Sequence, residues 1–345
     1  MRKYCAVMFL FLISGSSLWS QNNYKVANIG FYNLENLFDT LDTPGKLDEE
    51  FLPTGAKLYN SDTYKKKLTN LAGVISRLGT KYSPDGIAIL GVSEVENRKV
   101  LEDLIAQPAL AERHFGIVHY ESPDFRGIDV GLIYQPRYFK VLNSRPVEMP
   151  IYKEDSVKVR TRDILYVTGL FGEDTIHILV NHWPSRRGGE TATEPLRIRA
   201  AAICRGIKDS LVRLNVNAKV IVMGDLNDDP SSKSMVSTLS AKGKTAKVGT
   251  NDMFNPMYTF YEKGIGTTAY RDAWSLFDQI VLSPGWLQPS DGGYHFYKAN
   301  VFNEKDITQL TGKFKGYPLR TYSGDQFING FSDHFPVFIT LISKI

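Results

Sequence analysis

Short apolar runs recur along the chain, and several end abruptly in acids, amides or imidazoles. Val220 to Met223 is a buried-strand pattern that runs into Gly224, Asp225 and Asn227. Lys25 to Asn33 reads as a strand closed by Asn33. Gly86 to Val92 reads as a central strand that runs out through Ser93, Glu94, Val95, Glu96 and Asn97. Thr175 to Val180 delivers Asn181 and His182. Phe277 to Ser283 carries Asp278 inside an apolar run, and Val337 to Leu341 follows Ser332, Asp333 and His334. Ile117 to Tyr120, Ile128 to Tyr134, Phe139 to Val147 and Ile164 to Phe171 complete a series of strands.

Helical spacing appears between them. Ser61 and Asp62 offer an N-cap, and Leu68, Leu71, Ala72, Ile75 and Leu78 follow at three- and four-residue intervals, with Lys65 to Lys67 expected on a solvated face. Arg98 to Ala106 reads as a short helix, and Glu194 to Leu214 as a long amphipathic one. Asp39 to Asn60 is expected to be a surface loop, Thr245 to Asp272 irregular, and Pro284 to Asn329 loops over the surface. Neither a repeat nor a linker divides the chain, so residues 21–345 are expected to form one domain of the α/β sandwich class.

Composition adds the compartment. With 43% hydrophobic and 23% charged residues, the 345-residue chain has the make-up of a soluble globular protein with a sizeable core. Arg2 and Lys3 precede the apolar run Ala6 to Ile13, and small and polar residues follow. This is the pattern of a secretory signal peptide, too short to span a bilayer, with cleavage expected near Ser20. An exported protein, periplasmic or extracellular, is the expectation. Cys5 leaves with the signal, so Cys204 stands alone and stability must come from packing. The formal charge of +4, less the two charges of Arg2 and Lys3, leaves +2. That is too mild to argue nucleic-acid binding from net charge, so any anion-binding surface must be local.

The strand-end residues suggest chemistry. On a strand, residues two apart share a face, so Asp225 and Asn227 would project together. A carboxylate there can orient or deprotonate water, and an amide can donate to a phosphate oxyanion. Glu94 and Glu96 are hard oxygen ligands for Mg2+ or Ca2+, or alternatively helix caps. Arg186 and Arg187, followed by two glycines, form a candidate phosphate lip beside His182. Arg126 and Asp129 are either substrate contacts or a surface ion pair. Asp278, inside a strand, requires a partner. Taken singly, each residue is also an ordinary strand end or turn.

As a set, Tyr32-Asn33, Ser93-Glu94-Val95, Asn181-His182, Gly224-Asp225-Leu226-Asn227, Asp278-Gln279-Ile280 and Ser332-Asp333-His334 resemble, in order, the motifs of the endonuclease/exonuclease/phosphatase family. Ser93 departs from the glutamine common at that place. The resemblance implies a four-layer α/β sandwich, two mixed sheets face to face with helices outside. It implies Glu94 as principal ligand of a divalent cation (Mg2+, with Mn2+ or Ca2+ as alternatives), with Asn33 and Asp333 beside it. Asp225 would activate the attacking water, Asn227 and His182 would donate to phosphate oxygens, and His334 would be a second imidazole held by Asp278.

The function so implied is a metal-dependent phosphodiesterase acting on nucleic acid, as a monomer and without a stable protein partner. Arg126, Arg160, Arg162, Arg186, Arg187, Lys313 and Lys315 are candidates to follow a phosphate backbone. Phospholipid head groups and inositol or sugar phosphates are the alternative substrates. A non-catalytic binding protein on the same scaffold is the alternative of another class.

Overall fold

The apolar runs pair into two mixed sheets that face each other, with helices on their outer sides. The computed structural model describes residues 23–152, 158, 160–289 and 293–345, so the expected signal segment 1–20 lies outside the described residues. The first sheet contains β1 (Tyr24–Leu37), β2 (Ile87–Val95), β3 (Gly116–His119), β4 (Asp129–Tyr134), β14 (His295–Val301) and β17 (Val337–Lys344), in the order β14-β17-β1-β2-β4-β3. The second contains β5 (Phe139–Val147), β6 (Ile164–Phe171), β7 (Asp174–His182), β8 (Lys219–Asp225), β9 (Ala241–Lys242), β10 (Met253–Phe254) and β13 (Asp278–Leu282), in the order β5-β6-β7-β8-β13-β10-β9. Two small hairpins, β11–β12 (Thr268–Tyr270 with Ala273–Ser275) and β15–β16 (Tyr322–Ser323 with Gln326–Phe327), stand apart.

The helices are α1 (Ser61–Arg77), α2 (Arg98–Ile105), α3 (Pro108–Ala111), α4 (Glu190–Leu214) and α5 (Tyr258–Glu262). Strand alternation divides the apolar side chains into layers. Phe31, Ile89 and Leu132 meet Val167, Ile178 and Met223 between the sheets. Tyr32, Leu90 and Val92 point the other way, under Leu71, Ile75 and Leu104 of α1 and α2. Leu179, Val220 and Val222 are covered by Ala200, Ala201 and Cys204 of α4. The result is the expected four-layer sandwich. Among the described residues, no helix is long and apolar enough to cross a membrane.

The topology fixes where the strands end. The central pairs β1/β2 and β7/β8 run parallel and are covered on both faces, which explains their near-continuous apolar sequences. β13 runs antiparallel to β8 and β17 antiparallel to β1, so their beginnings lie beside the ends of those parallel strands.

Several elements differ from the sequence reading. Asn60, one residue earlier than expected, caps α1, its side chain accepting from the amides of Asp62 and Thr63. Lys67 is fully buried rather than solvated, and donates to Thr321 Oγ1 at 2.6 Å. α4 begins at Glu190 and contains Pro195. The stretch expected to loop from Pro284 to Asn329 contributes the edge strand β14, whose exposed Tyr297 and Lys298 hid its alternation. The region from Thr245 to Asp272, expected to be irregular, holds β10, α5 and β11.

Candidate active site

Three residues with left-handed backbone shape the rim where the parallel strands end. Glu35 and Asn36 (φ 49° and 54°) and Glu94 (φ 57°) coincide with register shifts in the β1/β2 and β2/β4 ladders. Such bulges re-aim side chains. Here the bulge separates Glu94 from Glu96. Glu94 Oε2 accepts from the Asn36 amide at 3.0 Å, and Oε1 lies 3.8 Å from His182 Nε2. Glu96 turns away from the rim to accept from the Asp39 amide and Thr43 Oγ1. It neither joins Glu94 nor caps α2, whose N-cap is Asn97.

Asp225 is the centre of the arrangement. It pairs across the ladders with His182 on one side and Asp278 on the other. Its Oδ1 accepts from the Asn227 amide at 3.0 Å in an Asx turn; β8 ends at Asp225 and Asn227 has left-handed backbone (φ 50°), so the two do not share a strand face as expected. Its Oδ2 accepts from Asn33 Nδ2 at 3.1 Å, and lies 3.6 Å from His182 Nε2 and 3.9 Å from His334 Nε2. Burial pushes its carboxyl up to about 7; the His334 ring opposes this, while Asp278 and Glu94 add to it.

The two imidazoles differ. His334 Nδ1 is 2.6 Å from Asp278 Oδ2, which gives the buried Asp278 the partner it required. Burial disfavours charge on this ring, but Asp278, with Asp225 and Asp333, outweighs it and holds the pKa well above the ordinary histidine value. His182 is held well below that value by burial, with Arg162, Arg126 and His334 adding to the effect. Among the described residues its Nδ1 has no hydrogen-bond partner, whereas Nε2 faces two carboxylates, which suits a neutral ring protonated on Nε2.

The remaining expected residues are placed as follows. Asn227 Nδ2 donates to the Trp183 carbonyl at 2.9 Å, with its second proton left for another acceptor. Asn33 Oδ1 accepts from the Glu35 amide, so only its second lone pair remains for a cation. Asp333 Oδ2 accepts from Arg320 Nη2 at 2.6 Å, and Oδ1 lies 4.0 Å from His334 Nε2. Arg186 is not a free phosphate ligand: Asp228, Asp229, Glu190 and the Asn227 carbonyl engage its guanidinium above the Phe277 ring. Arg187 is exposed beside it. Arg126 lies 3.7 Å from Asp124 rather than pairing with Asp129.

Arg162 was expected on a phosphate track, but it is buried and bonds Asp124, the His182 carbonyl and the Trp183 carbonyl. It positions the loop carrying His182. Sequence reasoning missed Arg320, which bridges Asp333 and Glu35, and gave no weight to Glu35. Burial and Asp333 push the Glu35 carboxyl up to about 7, against Lys67, the Thr321 amide and Arg320. These residues line a polar cavity of about 270 Å³ together with Lys57, Tyr59 and Tyr322.

Oxygen donors of this kind fit a divalent cation. Among the described residues Glu94 Oε1 makes no hydrogen bond, Asp333 and Asn33 stand at the same rim, and the carboxyl of Asp225 is held up partly by Glu94 and Asp278. A hard cation against Glu94 would offset that repulsion.

A model described as Endonuclease/Exonuclease/phosphatase family matches residues 28–343. No curated protein sequence matches the chain. Among solved structures, a humanized D. rerio TDP2 is similar with a TM-score of 0.56 at 13% identity, covering 92% of this chain and 98% of that one. D. rerio TDP2 complexed with single-strand DNA product gives 0.55 at 14% identity, with 92% and 98% covered. The Bacteroides thetaiotaomicron mannosyl-6-phosphatase Bt3783 gives 0.53 at 17% identity, with 91% and 99% covered.

Proposed function

The chain belongs to the endonuclease/exonuclease/phosphatase family, and from that premise we propose that it is an exported, divalent-metal-dependent phosphodiesterase that hydrolyses nucleic acid. The observation that carries the chemistry is the convergence on Asp225 of His182, His334 and Asn33, with Glu94 adjacent. Asp225 orients the attacking water and takes its proton, a task suited to a carboxyl raised to about 7. His334, cationic through Asp278, and neutral His182 donate to the phosphate oxygens together with Asn227. Glu94, with Asp333 and Asn33 beside it, would hold a divalent cation, which would supply Lewis-acid stabilisation of the negative charge on the phosphoryl oxygens.

The nucleic-acid assignment rests on the surface beside His334. The next residue, Phe335, stacks with half-exposed Trp274 at 6.2 Å and 12°. Trp274 contacts Tyr317, which meets exposed Phe314, and Arg271, Lys313 and Lys315 supply charge around them. Aromatic faces interleaved with cations suit stacked bases and a phosphate backbone. The D. rerio TDP2 solved with single-strand DNA product shares this fold.

A second reading, a small phosphomonoester such as a sugar phosphate, draws support from the polar cavity bounded by Glu35, Lys67, Arg320 and Asp333. It has the size of a monosaccharide, and the mannosyl-6-phosphatase shares the fold.

A substrate panel with and without EDTA tests the assignment: plasmid DNA, RNA, sphingomyelin, inositol phosphates and mannose 6-phosphate. EDTA-sensitive nicking of DNA or cleavage of RNA supports it. Turnover confined to sugar or inositol phosphates moves it to the second reading. N-terminal sequencing of the protein recovered outside the cytoplasm tests export and cleavage near Ser20.

A further inference from the structure

A cluster apart from the candidate active site has the ligand set of a cation site. His119 ends β3, Asp129 begins β4, and Glu121 lies two residues beyond His119. One ligand atom from each lies within 4.8 Å of the others. The hairpin register explains the meeting. His119 pairs with Gly131, and carried two residues further the same register sets Glu121 against Asp129. All three therefore share one face of the hairpin, and Gly131 places no side chain among them. Val130 and Leu132 point into the core between the sheets, so this face is the outer one, on the side of α2.

The second observation is a pair of orphaned polar atoms. The side chains of His119 and Asp129 are only 3% and 2% exposed, yet neither His119 Nε2 nor Asp129 Oδ2 has a hydrogen-bond partner. The two atoms face each other at 3.2 Å, an ion pair only when the ring is protonated, and without hydrogen-bond geometry. Buried polar atoms are normally satisfied, and an orphaned pair aimed at one point calls for a shared ligand. Ligands about 2.0–2.1 Å from a tetrahedral metal are separated by roughly 3.3 Å, close to the distance found here. The other oxygen, Asp129 Oδ1, is held by the amide and hydroxyl of Ser122, as expected of an outer shell that orients a metal carboxylate.

We propose that His119, Glu121 and Asp129 bind a structural divalent cation of the Zn2+ type, with a solvent-side position left for water. An imidazole with two carboxylates favours Zn2+ or a neighbouring first-row ion over Mg2+, which prefers all-oxygen octahedral sites. The cation clamps the base of the loop from residue 120 to 128. That loop carries Asp124, which holds Arg162, which in turn fixes the carbonyls of His182 and Trp183. The site would thus brace the loop behind one imidazole of the active site without touching substrate.

Co2+ titration of the metal-stripped full chain tests this, because a tetrahedral site with a histidine ligand gives intense visible bands and a six-coordinate carboxylate site gives weak ones. One equivalent of intense absorption is expected, displaced by Zn2+, retained in Glu94→Gln, and lost in His119→Ala and Glu121→Ala. Glu121 is exposed, so its replacement reads out even if the His119 variant folds poorly. Zn2+ affinity should fall at least about tenfold in Glu121→Ala. No intense band in the native chain, or a band indifferent to both substitutions, overturns the proposal.

Discussion

The Nδ1 atom of His334 lies 2.6 Å from Oδ2 of Asp278, a buried carboxylate that stands opposite Asp225 in the ladder between the two strands. Burial opposes the imidazolium, and Asp278 with its acidic neighbours overcomes that cost, so the ring is charged at neutral pH. Its pKa is raised on folding, so the stabilisation it contributes is complete below the ordinary histidine value. That contribution is lost as pH rises through the elevated value. Activity should fall over the same alkaline window. Asp278→Asn should move this limb of the kcat/KM profile to lower pH and reduce the plateau by about 10²–10⁴-fold. An unmoved limb would show that Asp278 does not set the charge of His334.

The metal reading makes a separate demand. Chelation should abolish hydrolysis, and adding Mg2+ or Mn2+ should restore it. Glu94→Gln should lower activity by at least about a hundredfold at any metal concentration, because a Lewis acid contributes several kcal/mol to a phosphoryl transition state. Among the described residues Glu94 accepts from the Asn36 amide and stands 3.8 Å from a His182 ring held neutral, so the denaturation midpoint of Glu94→Gln should hardly change. A chelated chain that keeps full activity refutes the cation.

Arg162 and Asp124 are buried together, and the same guanidinium bonds the carbonyls of His182 and Trp183. Arg162→Met removes the buried partner of Asp124 and leaves its charge to the half-exposed Arg126 at 3.7 Å, so stability should fall by about 3–5 kcal/mol. Replacing both, as Arg162→Met with Asp124→Leu, should recover part of that loss while kcat stays low, since His182 loses its support. Denaturant unfolding of the two single variants and the double variant measures the coupling. Additive effects would show that the pair does not act as a unit.

These cases show what the sequence could carry. The sandwich was legible because the central parts of β1, β2, β7 and β8 are buried on both faces and their apolar runs are near-continuous, broken at Asn28 and His177. Asp278 announced a partner because an acid within such a strand is costly alone. The separation of Glu94 from Glu96 was not legible, since alternation sends both to one side and only the bulge at Glu94 parts them. Arg162 and Arg186 read as free cations because their carboxylates arrive from distant or folded-back positions. Lys67 looked solvated because nothing local reveals Thr321, Glu35 and the covering loop around it. β14 escaped because an edge strand with exposed Tyr297 and Lys298 lacks the apolar signal.

Trp274 separates the two substrate readings. Its ring stacks on Phe335 beside His334 and remains half exposed. If bases stack there, Trp274→Ala should weaken binding of single-stranded DNA by about 1–3 kcal/mol. The rise in KM should exceed the fall in kcat, and a small ester such as p-nitrophenyl phosphate should be hydrolysed as before. Equal losses on both substrates would make Trp274 a packing residue of the His334 loop.

Gly224 precedes Asp225 where β8 lies too close to Asn181 of β7 for a side chain. A Cβ there would sit 2.1 Å from the carbonyl oxygen of Asn181 and 2.8 Å from that residue's carbonyl carbon. Both are backbone atoms of the neighbouring strand, so the clash can be relieved only by opening the ladder that sets Asp225 opposite His182. Gly224→Ala should therefore cost about 1–3 kcal/mol or more in stability. It should also lower kcat further than the unfolded fraction explains if Asp225 activates the attacking water as proposed. Turnover measured well below the variant's melting temperature isolates this second effect. A variant of native stability and native kcat would mean that the strand can move at this position without disturbing Asp225.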